Sequence, residues 1–212
     1  MFEPSTKYHE LIGLYARMAE QGYETRKGPR VEKAYSDQEA AKFRHELKPL
    51  FAEHGIKSVL DYGGGGTDWR DKQVPEGGSL TAFLGIEDYR VFEPARAVDA
   101  RGEKADAVVC FDVMEHIYVA DVGYVLNDIF AQARRLVVIN VAGYRANALL
   151  PNGENAHITI RSAQWWQGAV ELVASAWPDV TAVLYHSESY TQASRLPTVC
   201  FAKSNAADGY VR

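Results

Sequence analysis

Four consecutive glycines are the first residues whose type and spacing point to chemistry. A short apolar run at 59–60 is followed by Asp61 and Tyr62, and Gly63–Gly66 come directly after them. Glycine is favoured where a backbone must turn sharply and approach a ligand closely. A strand that feeds such a turn predicts the opening of a nucleotide-binding pocket, with the glycines against the ligand.

The residues behind the glycines restrict which nucleotide is expected. In a dinucleotide fingerprint, Gly63 and Gly65 would be the first two glycines, and the third would fall where the chain has Asp68. We expect a helix to begin there, and a carboxylate at its N-terminus would repel a pyrophosphate. No Gly-Lys-Ser/Thr follows the turn, which argues against a phosphate-binding P-loop. A cationic nucleoside without a pyrophosphate, such as S-adenosylmethionine, suits the acidic surroundings better.

Two histidines are the best candidates for a general base, because histidine has an unperturbed pKa close to neutral pH. His116 follows Glu115 just after an apolar run, and His157 lies in the polar loop Leu150–Arg161. Each histidine could instead be structural and hold its loop by hydrogen bonds. The catalytic candidates are therefore His157, His116 and Glu115.

The loop around His157 also offers polar groups to an acceptor molecule. Glu154, Asn155 and Arg161 could contact it, although solvation of an exposed loop would explain them equally well. Trp165 and Trp166 open the next helix, where adjacent side chains point about 100° apart. At most one of the two therefore faces a pocket. The substrate-binding candidates are Glu154, Asn155, Arg161 and Trp165.

Metal binding is an alternative use of the segment 112–116. Asp112, Glu115 and His116 carry oxygen and nitrogen donors. Side chains this close together at one strand end rarely converge on an ion without further donors. No metal is expected on this basis.

Alternating apolar runs and amphipathic segments indicate an α/β fold. Helices are predicted at Tyr8–Tyr23, Val119–Ala133 and Ala163–Ala176. The predicted strands are Ile56–Tyr62, Tyr89–Glu93, Ala107–Phe111, Arg135–Val141, Thr181–His186 and Thr198–Ala202. This alternation predicts a doubly wound, mostly parallel Rossmann-like sheet with helices on both faces.

Three segments together resemble class I S-adenosylmethionine-dependent methyltransferases of the small-molecule type. They are Val59-Leu-Asp-Tyr-Gly-Gly-Gly-Gly66, Tyr89-Arg-Val-Phe-Glu-Pro94 and Ala105-Asp-Ala-Val-Val-Cys-Phe-Asp-Val-Met-Glu-His-Ile117. The last is similar to the Asp-Val-Leu-Glu-His signature of that family. The resemblance implies that Asp61, Gly63 and Gly65 line the methionine end of S-adenosylmethionine and that Glu93 accepts hydrogen bonds from its ribose. The remaining cofactor-binding candidates are Tyr62, Pro94 and Asp112.

Three segments are expected along the chain. Residues 1–54 are expected to form an N-terminal helical extension, 55–203 the S-adenosylmethionine-binding methyltransferase domain, and 204–212 a loose tail. Only 12 residues separate Glu93 from Asp106. That is too few for a full helix and strand with their connections, so the third strand region is expected to be shortened.

Charge and hydropathy exclude several classes of partner. The net charge of −5 disfavours nucleic acid, and no apolar run approaches the length of a membrane span. The first residues lack the basic and apolar regions of a signal peptide, so a cytoplasmic location is expected.

The expected function is methyl transfer from S-adenosylmethionine to a hydroxyl or amine of a small polar molecule, such as a sugar or glycan precursor. One alternative is a non-catalytic module of the same fold that binds a cofactor or a partner. An oxidoreductase is a third alternative, which Asp68 disfavours.

Overall fold

The computed structural model describes residues 3–32, 39–196 and 199–200. The predicted tail at 204–212 lies outside these residues, as do positions 198, 201 and 202 of the last predicted strand. The division of the chain into an extension and a cofactor-binding domain stays a prediction.

Helices and strands alternate through the described chain. The helices are α1 (Thr6–Gln21), α2 (Glu39–Lys42), α3 (Arg44–His54), α4 (Leu80–Leu84), α5 (Val119–Ala131) and α6 (Ala163–Ala174). The strands are β1 (Ser58–Tyr62), β2 (Asp88–Glu93), β3 (Val98–Asp99), β4 (Ala105–Phe111), β5 (Ala133–Ala142), β6 (Thr181–Ser189), β7 (Gln192–Arg195) and β8 (Val199–Cys200). Among the described residues, no helix is both long and apolar enough to cross a membrane.

The strands form one mostly parallel sheet in the order β3-β2-β1-β4-β5-β6-β7, and β8 pairs with β6. β1 runs parallel to β2 and β4, and β4, β5 and β6 continue the parallel pairing. β3, β7 and β8 are antiparallel to their neighbours. The predicted α/β fold class is confirmed. The order reverses at β1, and ligands of such sheets bind beyond the carboxyl ends of the strands at that reversal.

Helices cover both faces of the sheet because β4 is apolar on both sides. Val108 and Cys110 pack into a core with α5 and α6, whereas Ala107 and Val109 pack into a core with α3 and α4. Successive strand residues point to opposite faces, so a continuous apolar strand fits a sheet that is covered twice.

The third strand region is shortened, as predicted. The 3₁₀ turn Pro94–Arg96 follows β2 directly, and β3 contains only Val98 and Asp99. Asp99 pairs with Phe92 in an antiparallel arrangement. The chain therefore doubles back beside β2 instead of making a crossover through a helix.

The prediction of a helix directly after the four glycines is wrong. Asp68 accepts a hydrogen bond from the backbone N–H of Arg70 at 2.8 Å and its carboxylate pairs with the Arg70 guanidinium, which folds this segment into a turn. Pro75 and the glycines Gly77 and Gly78 then interrupt the chain before α4 begins. No helix begins directly at the glycine turn, so the turn lacks the positive helix end on which a pyrophosphate normally rests.

Helix α1 is held over the carboxyl edge of the sheet by its first residues. Ser5 caps the helix by accepting a hydrogen bond from the backbone N–H of Tyr8 at 3.2 Å. Its own backbone N–H and hydroxyl donate to the two carboxylate oxygens of Asp121, at 2.7 and 2.8 Å. Asp121 is buried in the first turn of α5. This pair of bonds positions α1 as a wall of the site.

Candidate functional site

A cavity of about 540 Å³ opens at the carboxyl ends of β1, β2 and β4. Its walls come from the glycine turn, the end of β2, the loop after β4, helix α1 and the loop after β5. Pockets for small ligands commonly have about 300–1,000 Å³. The cavity therefore lies at the edge that the strand order predicts and has room for a small-molecule ligand.

The glycine turn is close-packed and depends on the absence of side chains. Gly63 and Gly65 have φ angles of 82° and 58°, in the left-handed region. A Cβ on Gly63 would lie 2.3 Å from Cγ2 of Val113, and one on Gly64 would lie 2.6 Å from Oδ2 of Asp61. A side chain at Gly63 would therefore clash with Val113, and one at Gly64 with Asp61.

Asp61 lies beneath the glycine turn. It is only 3% exposed and its Oδ2 accepts a hydrogen bond from the Tyr89 hydroxyl at 2.8 Å. It is not among the residues that line the cavity. The other six predicted cofactor contacts do line it: Tyr62, Gly63, Gly65, Glu93, Pro94 and Asp112. Asp61 thus shapes the turn from below, and its direct contact with a cofactor stays a prediction.

Glu93 faces the glycine turn from the end of β2. Its Oε2 accepts a hydrogen bond from the backbone N–H of Gly65, and its Oε1 accepts one from Ala95, both at 3.0 Å. Burial raises the pKa of Glu93 above its ordinary value, against the opposing effect of these two N–H groups. The carboxylate therefore joins the ends of β1 and β2 and forms part of the cavity wall.

Four side chains with metal-ligand chemistry meet on the other side of the cavity. Asp112, Glu115, His116 and His157 each place one donor atom within 4.8 Å of those of the other three. We call these four residues the donor cluster. Asp112 follows β4 directly with a left-handed φ of 57°. Glu115 and His116 lie in a 3₁₀ turn after it, and His157 comes from the loop after β5. The three predicted catalytic candidates are thus brought together.

Glu115 is the most deeply buried member of the donor cluster. Its Oε1 accepts a hydrogen bond from the backbone N–H of Ala142 at 2.7 Å. Its Oε2 is buried and has no hydrogen-bond donor within the described part of the chain. Burial, together with the nearby Asp112 carboxylate, raises the pKa of Glu115 well above its ordinary value.

Hydrogen bonds fix the tautomer of both histidines. The Tyr15 hydroxyl donates to the Ala156 carbonyl at 2.8 Å, so its oxygen accepts from Nδ1–H of His116 at 2.7 Å. Nδ1–H of His157 donates to the Tyr144 carbonyl at 2.6 Å. In the neutral form of each ring, Nε2 is then the nitrogen without a proton. Burial, and secondarily His157, lowers the pKa of His116 to about 4, which keeps that ring neutral.

The predicted substrate-binding residues lie outside this cavity. The Asn155 side chain bonds the backbone of Ala146 in both directions, and Glu154 accepts from Asn152 at 2.9 Å. Arg161 is exposed, and Trp165 packs against the core between the sheet and α6. The structure does not bring these four residues to the donor cluster, so their contact with a substrate stays a prediction.

Several residues that line the cavity were not predicted from the sequence. They include four tyrosines, one acid, one amide and one arginine: Tyr15, Tyr23, Tyr144, Tyr190, Glu39, Asn147 and Arg96. One signal was available for the first of these, because Tyr15 lies on the apolar stripe of α1 with Leu11 and Ile12. The others depend on how loops fold over the sheet, which periodicity does not reveal.

Comparisons with known proteins are sparse for this chain. No protein-family model matches it, and neither does any curated protein. Among solved structures, it is similar to the N-terminal domain of EvdMO1, a crystal structure obtained in the presence of SAH and D-fucose. The similarity covers 90% of this chain and 95% of that one, at 13% identity and a TM-score of 0.39. Similarity this distant assigns no function.

Proposed function

We propose that this protein transfers a methyl group from S-adenosylmethionine to a hydroxyl, or an amine, of a small polar molecule. One observation carries the proposal. A single cavity has the glycine turn with Glu93 in one wall and the donor cluster in another. A nucleoside site and a site for proton chemistry therefore share the same space.

The cofactor half of the cavity fits S-adenosylmethionine. Gly63 and Gly65 line the cavity without side chains, and Glu93 offers its carboxylate there to ribose hydroxyls. The bound cofactor would supply an activated methyl group on a sulfonium. The chain would bind and orient it, and the acidic lining would favour its positive charge over a pyrophosphate.

The acceptor half suits a small hydroxylated molecule. Tyr15 and Tyr144 lie against His116 and His157, with ring centroids 5.3 and 5.5 Å apart. The two ring faces can contact the CH faces of a sugar, and the Tyr144 hydroxyl can bond its OH groups. A sugar or glycan precursor is the acceptor class that we favour.

Methyl transfer to a hydroxyl requires alignment and removal of one proton. The unprotonated Nε2 atoms of His116 and His157 can accept a hydrogen bond from the acceptor hydroxyl. Helix α1 covers this region through Leu11 and Ile12, which limits the access of water. The chain would thus contribute position, a proton acceptor and shielding from solvent.

Calorimetry tests the cofactor assignment directly. S-adenosylhomocysteine should bind at micromolar concentration or tighter, and NADH should not bind. Glu93→Ala should weaken the binding of S-adenosylhomocysteine by about 1–3 kcal/mol. Glu87→Ala is the matched control, because Glu87 precedes the opposite end of β2 and pairs with Lys57 on the surface. Binding of NADH alone would reject the proposal.

Transfer is tested with methyl-labelled S-adenosylmethionine and a panel of monosaccharides, glycosides and polyols. Label in a hydroxylated acceptor supports the enzyme. Tight cofactor binding with no transfer to any hydroxyl or amine acceptor would favour the alternative, a non-catalytic module of the same fold.

A further inference from the structure

We propose that the donor cluster binds one divalent transition-metal ion, with Asp112, Glu115, His116 and His157 as its ligands. The site itself is independent of the proposed function. Its role in positioning the acceptor hydroxyl rests on that function.

The donor atoms are close enough to share one ion. All four lie within 4.8 Å of one another, and Nε2 of His157 is 3.8 Å from Oδ1 of Asp112. Bonds of about 2.1 Å place opposite ligands about 4.2 Å apart around a metal. Small side-chain rotations would therefore bring four donors into coordination, from two separate segments of the chain.

The buried carboxylate of Glu115 gives an independent reason to expect a cation. The residue is 0% exposed, and Oε2 has no hydrogen-bond donor within the described part of the chain. The group that interacts with it is the Asp112 carboxyl, and two acids this close are costly to ionise together in a buried site. A cation between Asp112 and Glu115 would compensate both carboxylates at once.

The surrounding hydrogen bonds are those that metal-binding histidines require. Tyr15 accepts from Nδ1–H of His116, and the Tyr144 carbonyl accepts from Nδ1–H of His157. Each ring is thereby oriented with an unprotonated Nε2 for a metal. Ligand histidines commonly donate their second N–H to such a carbonyl or oxygen, which fixes the tautomer.

The ligand set predicts the class of metal. Two imidazoles and two carboxylates favour Mn²⁺, Fe²⁺, Co²⁺ or Zn²⁺ over Ca²⁺ and Mg²⁺, which prefer oxygen ligands. Asp112 is exposed toward the cavity, so the ion would be open to a further ligand on that side.

That open position would take the hydroxyl oxygen of the acceptor. The cation would promote loss of the hydroxyl proton to solvent on the exposed side of Asp112. The oxygen would then bond to the methyl carbon as the bond between that carbon and sulfur breaks. The sulfonium becomes the neutral thioether of S-adenosylhomocysteine. With the ion bound, His116 and His157 act as metal ligands, which replaces the role of proton acceptor that the proposed function gives them in the metal-free chain.

The test uses the full chain after treatment with a chelator. Co²⁺ titration is monitored by visible absorption and Mn²⁺ titration by electron paramagnetic resonance. Each titration should show one site per chain. Asp112→Asn and His157→Asn should weaken binding about tenfold or more. Asp88→Asn and His45→Asn are the controls, because both side chains are exposed and lie outside the donor cluster.

Asp112→Asn is the decisive variant because its side chain is exposed and its removal leaves the core intact. Binding that neither Asp112→Asn nor His157→Asn weakens, or no stoichiometric binding, would overturn the site. S-adenosylhomocysteine calorimetry on the metal-free chain separates the two proposals. Metal binding without cofactor binding would support the metal site and reject the proposed function. Full transfer activity in the chelated protein would overturn the role of the ion.

Discussion

The Glu93 carboxylate accepts a hydrogen bond from the backbone N–H of Gly65 at 3.0 Å. The acid that ends β2 is therefore bonded to the glycine turn that ends β1, and both contribute to one cavity wall. This contact sets the shape of the proposed cofactor site before any ligand arrives.

Protonation of Glu93 should weaken the binding of S-adenosylhomocysteine. Burial raises the pKa of Glu93, so the carboxylate gains its proton at a higher pH than an ordinary glutamate. A neutral carboxyl is the poorer acceptor for ribose hydroxyls, and affinity should fall as pH drops from about 7 to about 5. Calorimetry across this range checks the prediction.

Glu93→Gln is the control for that titration. It removes the proton-binding group, so its weaker affinity should change less with pH than that of the unaltered protein. The folded state binds this proton more readily than the unfolded chain, so Glu93 by itself does not destabilise the fold as pH falls. Equal pH dependence in both proteins would assign the effect to another group.

Gly63→Ala should destabilise the protein by about 1–3 kcal/mol. The new Cβ would lie 2.3 Å from Cγ2 of Val113, at a φ angle of 82° that alanine rarely adopts. Chemical unfolding measures the loss, and the double variant with Val113→Ala should recover part of it. Gly13→Ala is the matched control, since its Cβ would meet nothing within 4 Å in α1. If Gly63→Ala leaves the free energy of unfolding unchanged, the turn is looser than described.

Asp121→Ala should loosen helix α1 and cost about 1–3 kcal/mol of stability. The substitution leaves the backbone N–H and the hydroxyl of Ser5 without the two carboxylate oxygens that they now bond. Hydrogen exchange of the α1 amides should accelerate, and affinity for S-adenosylhomocysteine should fall because α1 lines the cavity. Asp88→Ala removes an ion pair with Arg90 and should change neither the exchange of the α1 amides nor the affinity. Unchanged exchange in α1 would show that packing alone holds it.

The sequence predicted the sheet because β4 and β5 have long apolar runs, and a shorter run in β1 leads directly into the four glycines. It also pointed to Glu93, through the family resemblance, and to His157, through the polar loop after β5. Both line the cavity, and their roles stay predictions. The donor cluster was harder to predict. Asp112, Glu115 and His116 alone looked too few for a metal, and the fourth donor comes from a loop far along the chain. Only the fold brings His157 to them.

The substrate-binding candidates, whose role stays a prediction, show how a polar loop uses its own side chains. The amide of Asn155 looked available for a ligand, but it bonds the backbone N–H and carbonyl of Ala146. A loop must satisfy its own backbone groups, and side-chain amides often do so. The turn at Asp68 has the same origin, because its carboxylate bonds the N–H of Arg70 in place of capping a helix.

Tyr15→Phe should weaken metal binding without disturbing the fold. The hydroxyl of Tyr15 accepts from Nδ1–H of His116 and donates to the Ala156 carbonyl, so it holds the ring through a relay of two hydrogen bonds. Phenylalanine keeps the apolar ring of Tyr15 but cannot accept the N–H. Loss of such a second hydrogen bond typically lowers metal affinity about 10- to 100-fold.

Mn²⁺ and Co²⁺ titrations measure this effect, and circular dichroism with chemical unfolding monitors the fold. Tyr23→Phe is the matched control, because Tyr23 lines the same cavity but is not among the aromatic rings in contact with either histidine. Since Tyr15 acts through His116, higher metal concentration should restore transfer activity in Tyr15→Phe. Activity that stays low at saturating metal would instead place the Tyr15 hydroxyl in direct contact with the acceptor.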